Sequence, residues 1–215
     1  MEKQELEELK VSIYEKLRRA IEKGDKEKAL ELLSEIDVNR KKYLDFPLSM
    51  VDYLFTLGAE KIGEEFVNEA NRIFAEQKQY PALDWALGSV NIEDKLRKRA
   101  YIWTSLHGAN IEKLTEDEEK FTIKVKCPTG GSIVLKEEHG KTKKAHPWSL
   151  GRKGLSYYCA HCIISMEVIS MERFGYPAWV NMPSADGRCT QYIYKDPQSI
   201  PEEYYERAGM KKPSK

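Results

Sequence analysis

Four cysteines, Cys127, Cys159, Cys162 and Cys189, all fall within the last 90 residues of a 215-residue chain. Such a set reads as metal ligands or redox thiols rather than as structural disulfides. In Tyr158-Cys-Ala-His-Cys162 two residues separate the thiols, a spacing that lets both sulfurs face one ion at about 2.3 Å. Cys127 opens the turn Cys127-Pro-Thr-Gly-Gly131, and Cys189 follows Asp186-Gly-Arg. A cysteine that merely packs as a small hydrophobe sits on an apolar run; these two sit at turns. Four thiolates on zinc make a closed tetrahedral site, usually structural. If His161, His146 or His107 replaces one sulfur, or a position stays open, the site turns catalytic. Iron or an iron–sulfur cluster could use the same residues, but cluster motifs carry tighter cysteine runs, so zinc is preferred.

The CxxC pair has a second chemical reading. Cys159 at a helix N-terminus, with His161 beside it, is the arrangement of a thiol–disulfide oxidoreductase. Only 53 residues follow Cys162, whereas a thioredoxin-like domain places most of its length after that motif. Two groups are candidate acid–base catalysts: His161, held between two ligands, and Glu167, a charge amid Ile163, Ile164, Val168 and Ile169. His146-Pro-Trp148 lies in an irregular loop of the kind that carries function. Lys136, Lys141, Lys143, Lys144, Arg152 and Lys153 make that loop basic enough to attract an anion. Trp148, Tyr157, Tyr158, Tyr176, Trp179, Tyr192 and Tyr194 crowd the same half. They are expected to build the core around the metal, and some to line a pocket for a planar or apolar small molecule.

The elements that position these residues change character along the chain. Leu6, Leu9, Ile13, Leu17, Ala20 and Ile21 repeat at helical spacing up to Gly24-Asp25. Ala29, Leu32, Leu33 and Ile36 carry a second helix. Pro47 suits the first turn of a third, which Gly58 interrupts, and Ile62 to Phe74 gives a fourth. A further helix over 92–107 is expected to bury Ala100, Trp103 and Leu106. Beyond a polar connection at 115–119, Phe121–Val125 alternates like a half-buried strand. Ser132–Leu135 then reads as its returning partner, with Cys127 at the hairpin tip. A helix over 160–174 and strands at 178–180 and 190–194 follow. Helices first and strands later imply an α+β fold: a helical N-terminal bundle, residues 1–113, packed on a small antiparallel-sheet domain with a cysteine metal site, residues 114–215.

Composition narrows the partners. Lys plus Arg and Asp plus Glu each number 35, so no net charge favours nucleic acid or an anionic membrane surface. No stretch approaches the roughly 20 apolar residues of a membrane span, and the acidic, amphipathic N-terminus lacks the form of a leader. A cytoplasmic protein acting on a small molecule is expected.

Three short segments carry a resemblance: Tyr157-Tyr-Cys-Ala-His-Cys162, Gly175-Tyr-Pro177 and the run from Gly187-Arg-Cys189 to Pro197. Over about the last 70 residues they resemble the L-2-amino-thiazoline-4-carboxylic acid hydrolase-like proteins and the 4-vinyl reductase-like domains. The resemblance implies a zinc-binding or thiol-using domain that holds a small organic ligand. Cys189 would be its late-strand cysteine, and Cys159 or Cys162 its mid-domain one. Cys127-Pro-Thr-Gly and Tyr158-Cys-Ala-His are also similar to cysteine segments of alkylmercury lyase. The functional expectation is a zinc protein working as a metal-assisted hydrolase or lyase. A non-catalytic ligand-binding or sensor module with structural zinc, and a CxxC oxidoreductase, are the alternatives.

Overall fold

A computed structural model of the chain describes residues 10–81, 91–136 and 139–214; Leu6 and Leu9 of the expected first helix lie outside them. Helix α1, Ile13–Glu22, starts where the Ser12 side chain accepts from the Glu15 amide at 3.2 Å, which satisfies one of the open N–H groups of a first turn. Helix α2 runs unbroken over Lys26–Lys61, so Pro47 and Gly58 do not divide it as the sequence pattern suggested. A proline removes one hydrogen bond and crowds the preceding turn, but no residue here takes the left-handed conformation that ends a helix. After Gly24 the next positive φ belongs to Gly63. Gly58 serves packing instead. A β-carbon there would stand 2.2 Å from ring atoms of Phe66, on the following helix.

Two compact units result, one reaching Pro47 and the other starting at Leu48. The boundary expected at 113/114 falls inside the second. In the first unit, Ala20 and Leu32 are buried.

The second unit mixes helix and sheet, consistent with an α+β fold. It contains α3 (Glu65–Phe74) and α4 (Ile92–Tyr101), each continued by a π-helical turn, Ala75–Gln79 and Ile102–Leu106. The strands are β1 (Ile111–Glu116), β2 (Lys120–Lys126), β3 (Val180–Pro183) and β4 (Arg188–Tyr194). They form one antiparallel sheet in the order β1-β2-β4-β3. The hairpin partner of β2 is therefore β1, across a turn in which Asp117 accepts from the Glu119 and Lys120 amides. Sequence reading missed β1 because its side chains are exposed after Ile111, which erases the alternation that marks a strand. The expected returning strand is the short helix α5, Gly130–Val134. A brief apolar run does not tell strand from helix.

Helix α6 spans 160–174, with a π-helical middle at Ile164–Ile169, and closes at Gly175 in the left-handed conformation (φ 79°). Ala160, Ile163, Ile164, Met166, Val168, Ile169 and Met171 are all buried, so α6 is the unit's central element. It shares a core with Val67, Trp103, Phe121, Ile123, Val125 and Ile193. A short helix α7, Glu203–Glu206, follows the sheet. Among the described residues no helix is long and apolar enough to cross a membrane.

Candidate metal centre

The sheet register brings two cysteines together. Val125 lies opposite Cys189 across β2 and β4, and Cys127 follows Val125 by two residues, hence on the same face. The Cys127 amide donates to the Gly187 carbonyl at 3.0 Å, tying the turn to the start of β4. Gly131 and Gly187 permit this approach: a β-carbon on residue 131 would lie 2.1 Å from the Gly187 oxygen, and Gly187 itself has φ 79°. The other two cysteines come from the start of α6. Cys159 is its N-cap residue and Cys162 lies in its first turn.

All four cysteines, together with His161, line one small cavity of about 30 Å³ walled also by Trp103, Gly130 and Gln191. All four are free thiols. Gly130 keeps part of this space open, since a β-carbon there would sit 3.0 Å from Cys159 Sγ and 3.8 Å from Cys127 Sγ. The Thr129 hydroxyl lies 3.4 Å from Cys127 Sγ. Among the described residues no three His, Cys, Asp or Glu side chains form a group arranged to hold a metal ion. Closing on an ion thus requires the sulfurs to turn inward from the conformations seen here. The donor set suits a soft cation, and the gap at Gly130 leaves it room.

Besides Arg188 in its wall, the cavity has a buried cation close behind it. Arg99 of α4 is 5% exposed. Its Nε donates to Gln191 Oε1 at 2.8 Å, and its guanidinium carbon lies 4.4 Å and 4.3 Å from the ring centres of Trp103 and Trp179. Among the described residues no carboxylate forms an ion pair with it. Burial pushes its pKa down to about 10, against the opposing pull of Cys162, Cys189 and Cys127. A guanidinium in such surroundings calls for a counter-charge, and the thiols are the groups that can supply one.

His161 donates through Nδ1–H to the Tyr158 carbonyl (2.5 Å), and its Nε2 lies 3.2 Å from Cys162 Sγ. Burial opposes charge on both partners. For His161 the neighbouring Cys162 outweighs burial and raises the pKa; for Cys162, His161 and Arg99 outweigh it and lower the thiol. Burial and the surrounding sulfurs push Cys159 and Cys189 up. Of these three thiols, Cys162 is therefore the one whose ionisation the pocket eases, while that of Cys159 and Cys189 is opposed.

Behind the cavity runs a buried polar chain that the sequence did not disclose. Gln191 also accepts from Trp103 Nε1 (2.9 Å) and donates to Asn181 Oδ1 (2.7 Å). Asn181 donates to Glu167 from its backbone (2.8 Å) and its side chain (3.1 Å), and Glu167 pairs with Arg207. Glu167 is fully buried but is not part of the cavity wall, and its carboxylate is engaged by Asn181 and Arg207. The helix expected to bury Ala100, Trp103 and Leu106 does bury Trp103, but it turns Lys95, Arg99 and Ile102 inward as well and leaves Leu106 exposed. The i, i+4, i+8 spacing of Lys95, Arg99 and Trp103 was the available signal, hidden because a basic helix face normally belongs to solvent.

The remaining histidines are not among the cavity's wall residues. His107 sits 5.3 Å from the Trp103 ring, and burial, with Arg99 and His161 nearby, lowers its pKa to about 4. His139 bonds Lys136 O. His146 stacks on Trp148 at 4.6 Å and meets Glu64 through Nε2 at 2.7 Å. Glu64 also accepts from the Tyr157 hydroxyl at 2.7 Å and from the Lys143 and Lys144 amides, pinning the irregular loop to the start of α3. Burial opposes the Glu64 charge, but these four donors outweigh it and bring the carboxyl down to about 2. A depressed carboxyl stabilises the fold above its unfolded pKa near 4.5, and that contribution is lost as pH falls toward 2. Glu64→Gln is expected to cost about 1–3 kcal/mol at pH 7. It should also flatten the acid dependence of stability between pH 4.5 and 2, as measured by urea unfolding across that range.

Part of the basic loop borders the sulfurs. Lys141, Arg152, Lys153 and His139 line a second cavity of about 230 Å³ whose wall shares Val134, Cys159, Pro183 and Ser184 with the first. No protein-family model, curated protein or solved structure matches the chain.

Proposed function

We propose that the protein is a cysteine-ligated zinc protein in which Cys127, Cys159, Cys162 and Cys189 hold the ion. The observation that carries this reading is the convergence of four free thiols on one cavity near a buried Arg99 that pairs with no carboxylate among the described residues. Four thiolates on a divalent ion leave a net negative centre, which would answer the Arg99 charge. Binding releases thiol protons, and His161, with Nε2 against Cys162 Sγ, is placed to take one of them. A 30 Å³ space has room for an ion and none for an organic substrate, which favours a closed centre. The ion would pin the Cys127 turn, the start of α6 and the start of β4 together, contributing folding free energy outright.

The metal-assisted hydrolase or lyase reading draws support from the adjoining basic cavity. A small anion there would approach Cys159, provided one sulfur yields its place on the ion. That version keeps three sulfurs and one oxygen or nitrogen ligand. A thiol–disulfide exchange role for Cys159 and Cys162 is what remains if zinc is refused.

Competition against a chromophoric chelator tests the main reading. Reduced, metal-free protein is expected to take up one zinc per chain with about nanomolar or tighter affinity. No uptake at micromolar zinc would overturn it.

A further inference from the structure

Beside Trp179, a larger cavity of about 300 Å³ is walled by Tyr176, Trp179, Tyr192 and Tyr194, with Lys95 and Lys195 as its charged residues among the described ones. The two lysines differ. Lys195 is engaged, donating to Asp117 O at 2.7 Å and pairing with Glu116 at 2.6 Å. Lys95 is 6% exposed, and among the described residues its ammonium has no hydrogen bond and no ion pair. It stands over the face of Tyr176, 5.6 Å from the ring centre. Among the described residues no Asp or Glu lines the cavity.

We infer that this cavity binds a small aromatic acid, its ring held among Tyr176, Trp179, Tyr192 and Tyr194 and its carboxylate paired with Lys95. An isolated ammonium away from water is costly, and a residue that only filled space there would be better as leucine or methionine. Burial pushes the Lys95 pKa down to about 8, so the side chain is still mostly charged at neutral pH and can meet an anion. The flat side chains supply faces for offset stacking. The volume is at the lower end of small-molecule pockets and about twice that of a cavity that accepts benzene, which fits one or two rings. The lining runs from buried Trp179 and Ile200 to Phe174, which is 42% exposed, giving the cavity a way out to solvent. The site is separate from the sulfurs and does not depend on the zinc reading.

Calorimetric titration of the full-length protein with benzoate and with indole-3-carboxylate, at pH 7, tests this. At least one acid is expected to bind, and benzyl alcohol, which keeps the ring and loses the charge, should bind about tenfold or more weakly than benzoate if benzoate is the binder. Lys95→Met, which keeps the apolar stem, should weaken the bound acid about tenfold or more while leaving zinc uptake unchanged. If neither acid binds, or Lys95→Met binds as the wild type does, the inference is wrong. Should the variant not fold, equal binding of the acid and its uncharged alcohol counterpart by the wild type overturns it alone.

Discussion

Replacing any one of Cys127, Cys159, Cys162 or Cys189 by serine is expected to weaken zinc binding about a hundredfold or more. Structural zinc sites carry about 10–16 kcal/mol. Divided over four ligands, that is about 2.5–4 kcal/mol for each sulfur, or about two to three powers of ten. Serine keeps the size of the side chain but replaces a soft, readily ionised donor with a poor one. The four residues enter from a turn, a helix start and a strand start, so His161 is the one wall residue besides them that could stand in for a lost sulfur. Competition titrations of the four variants decide the matter. A variant with undiminished affinity marks a thiol outside the site, and two such variants end the four-sulfur account.

The second large effect concerns a residue with no side chain. Gly131→Ala places a β-carbon 2.1 Å from the Gly187 carbonyl oxygen and 3.1 Å from Cys127 Cβ. The obstacle is backbone, so rotamer adjustment cannot relieve it and the turn must move away from β4. We expect a loss of about 3 kcal/mol in stability, read by urea unfolding of the metal-free protein, and weaker zinc binding because Cys127 and Cys189 are driven apart. Gly130→Ala makes the informative contrast. Its β-carbon meets Cys159 Sγ at 3.0 Å, a side chain that can rotate, so the fold should persist while the sulfurs are displaced and affinity drops. A Gly131→Ala protein as stable as the wild type would mean that the close contact of the two glycines does not set the geometry.

The cysteines themselves were legible from type and spacing. The CxxC pair pointed to the start of a helix, and α6 does begin at Ala160. Turn residues around Cys127 and Cys189 signalled bends, but the pairing that unites them joins β2 to β4, strands far apart in sequence, where a local hairpin was expected. Ile133 and Val134 looked like strand residues and fold as helix because the turn before them runs into the 130–134 segment. Arg99, Gln191 and Asn181 were out of reach for a different reason. A polar residue at a core position looks like any surface residue until its partners are known, and theirs lie 10 to 92 positions away. Glu167 shows the converse: an odd charge in an apolar helix suggested catalysis, and its partner Arg207 lies in a segment that carried no sign of it.

Zinc K-edge X-ray absorption on the zinc-loaded protein addresses the central claim most directly. The account predicts a shell of four sulfurs at about 2.3 Å, with the adjoining-cavity variant giving three sulfurs and one lighter atom. A shell made of nitrogen and oxygen, with at most one sulfur, would contradict it.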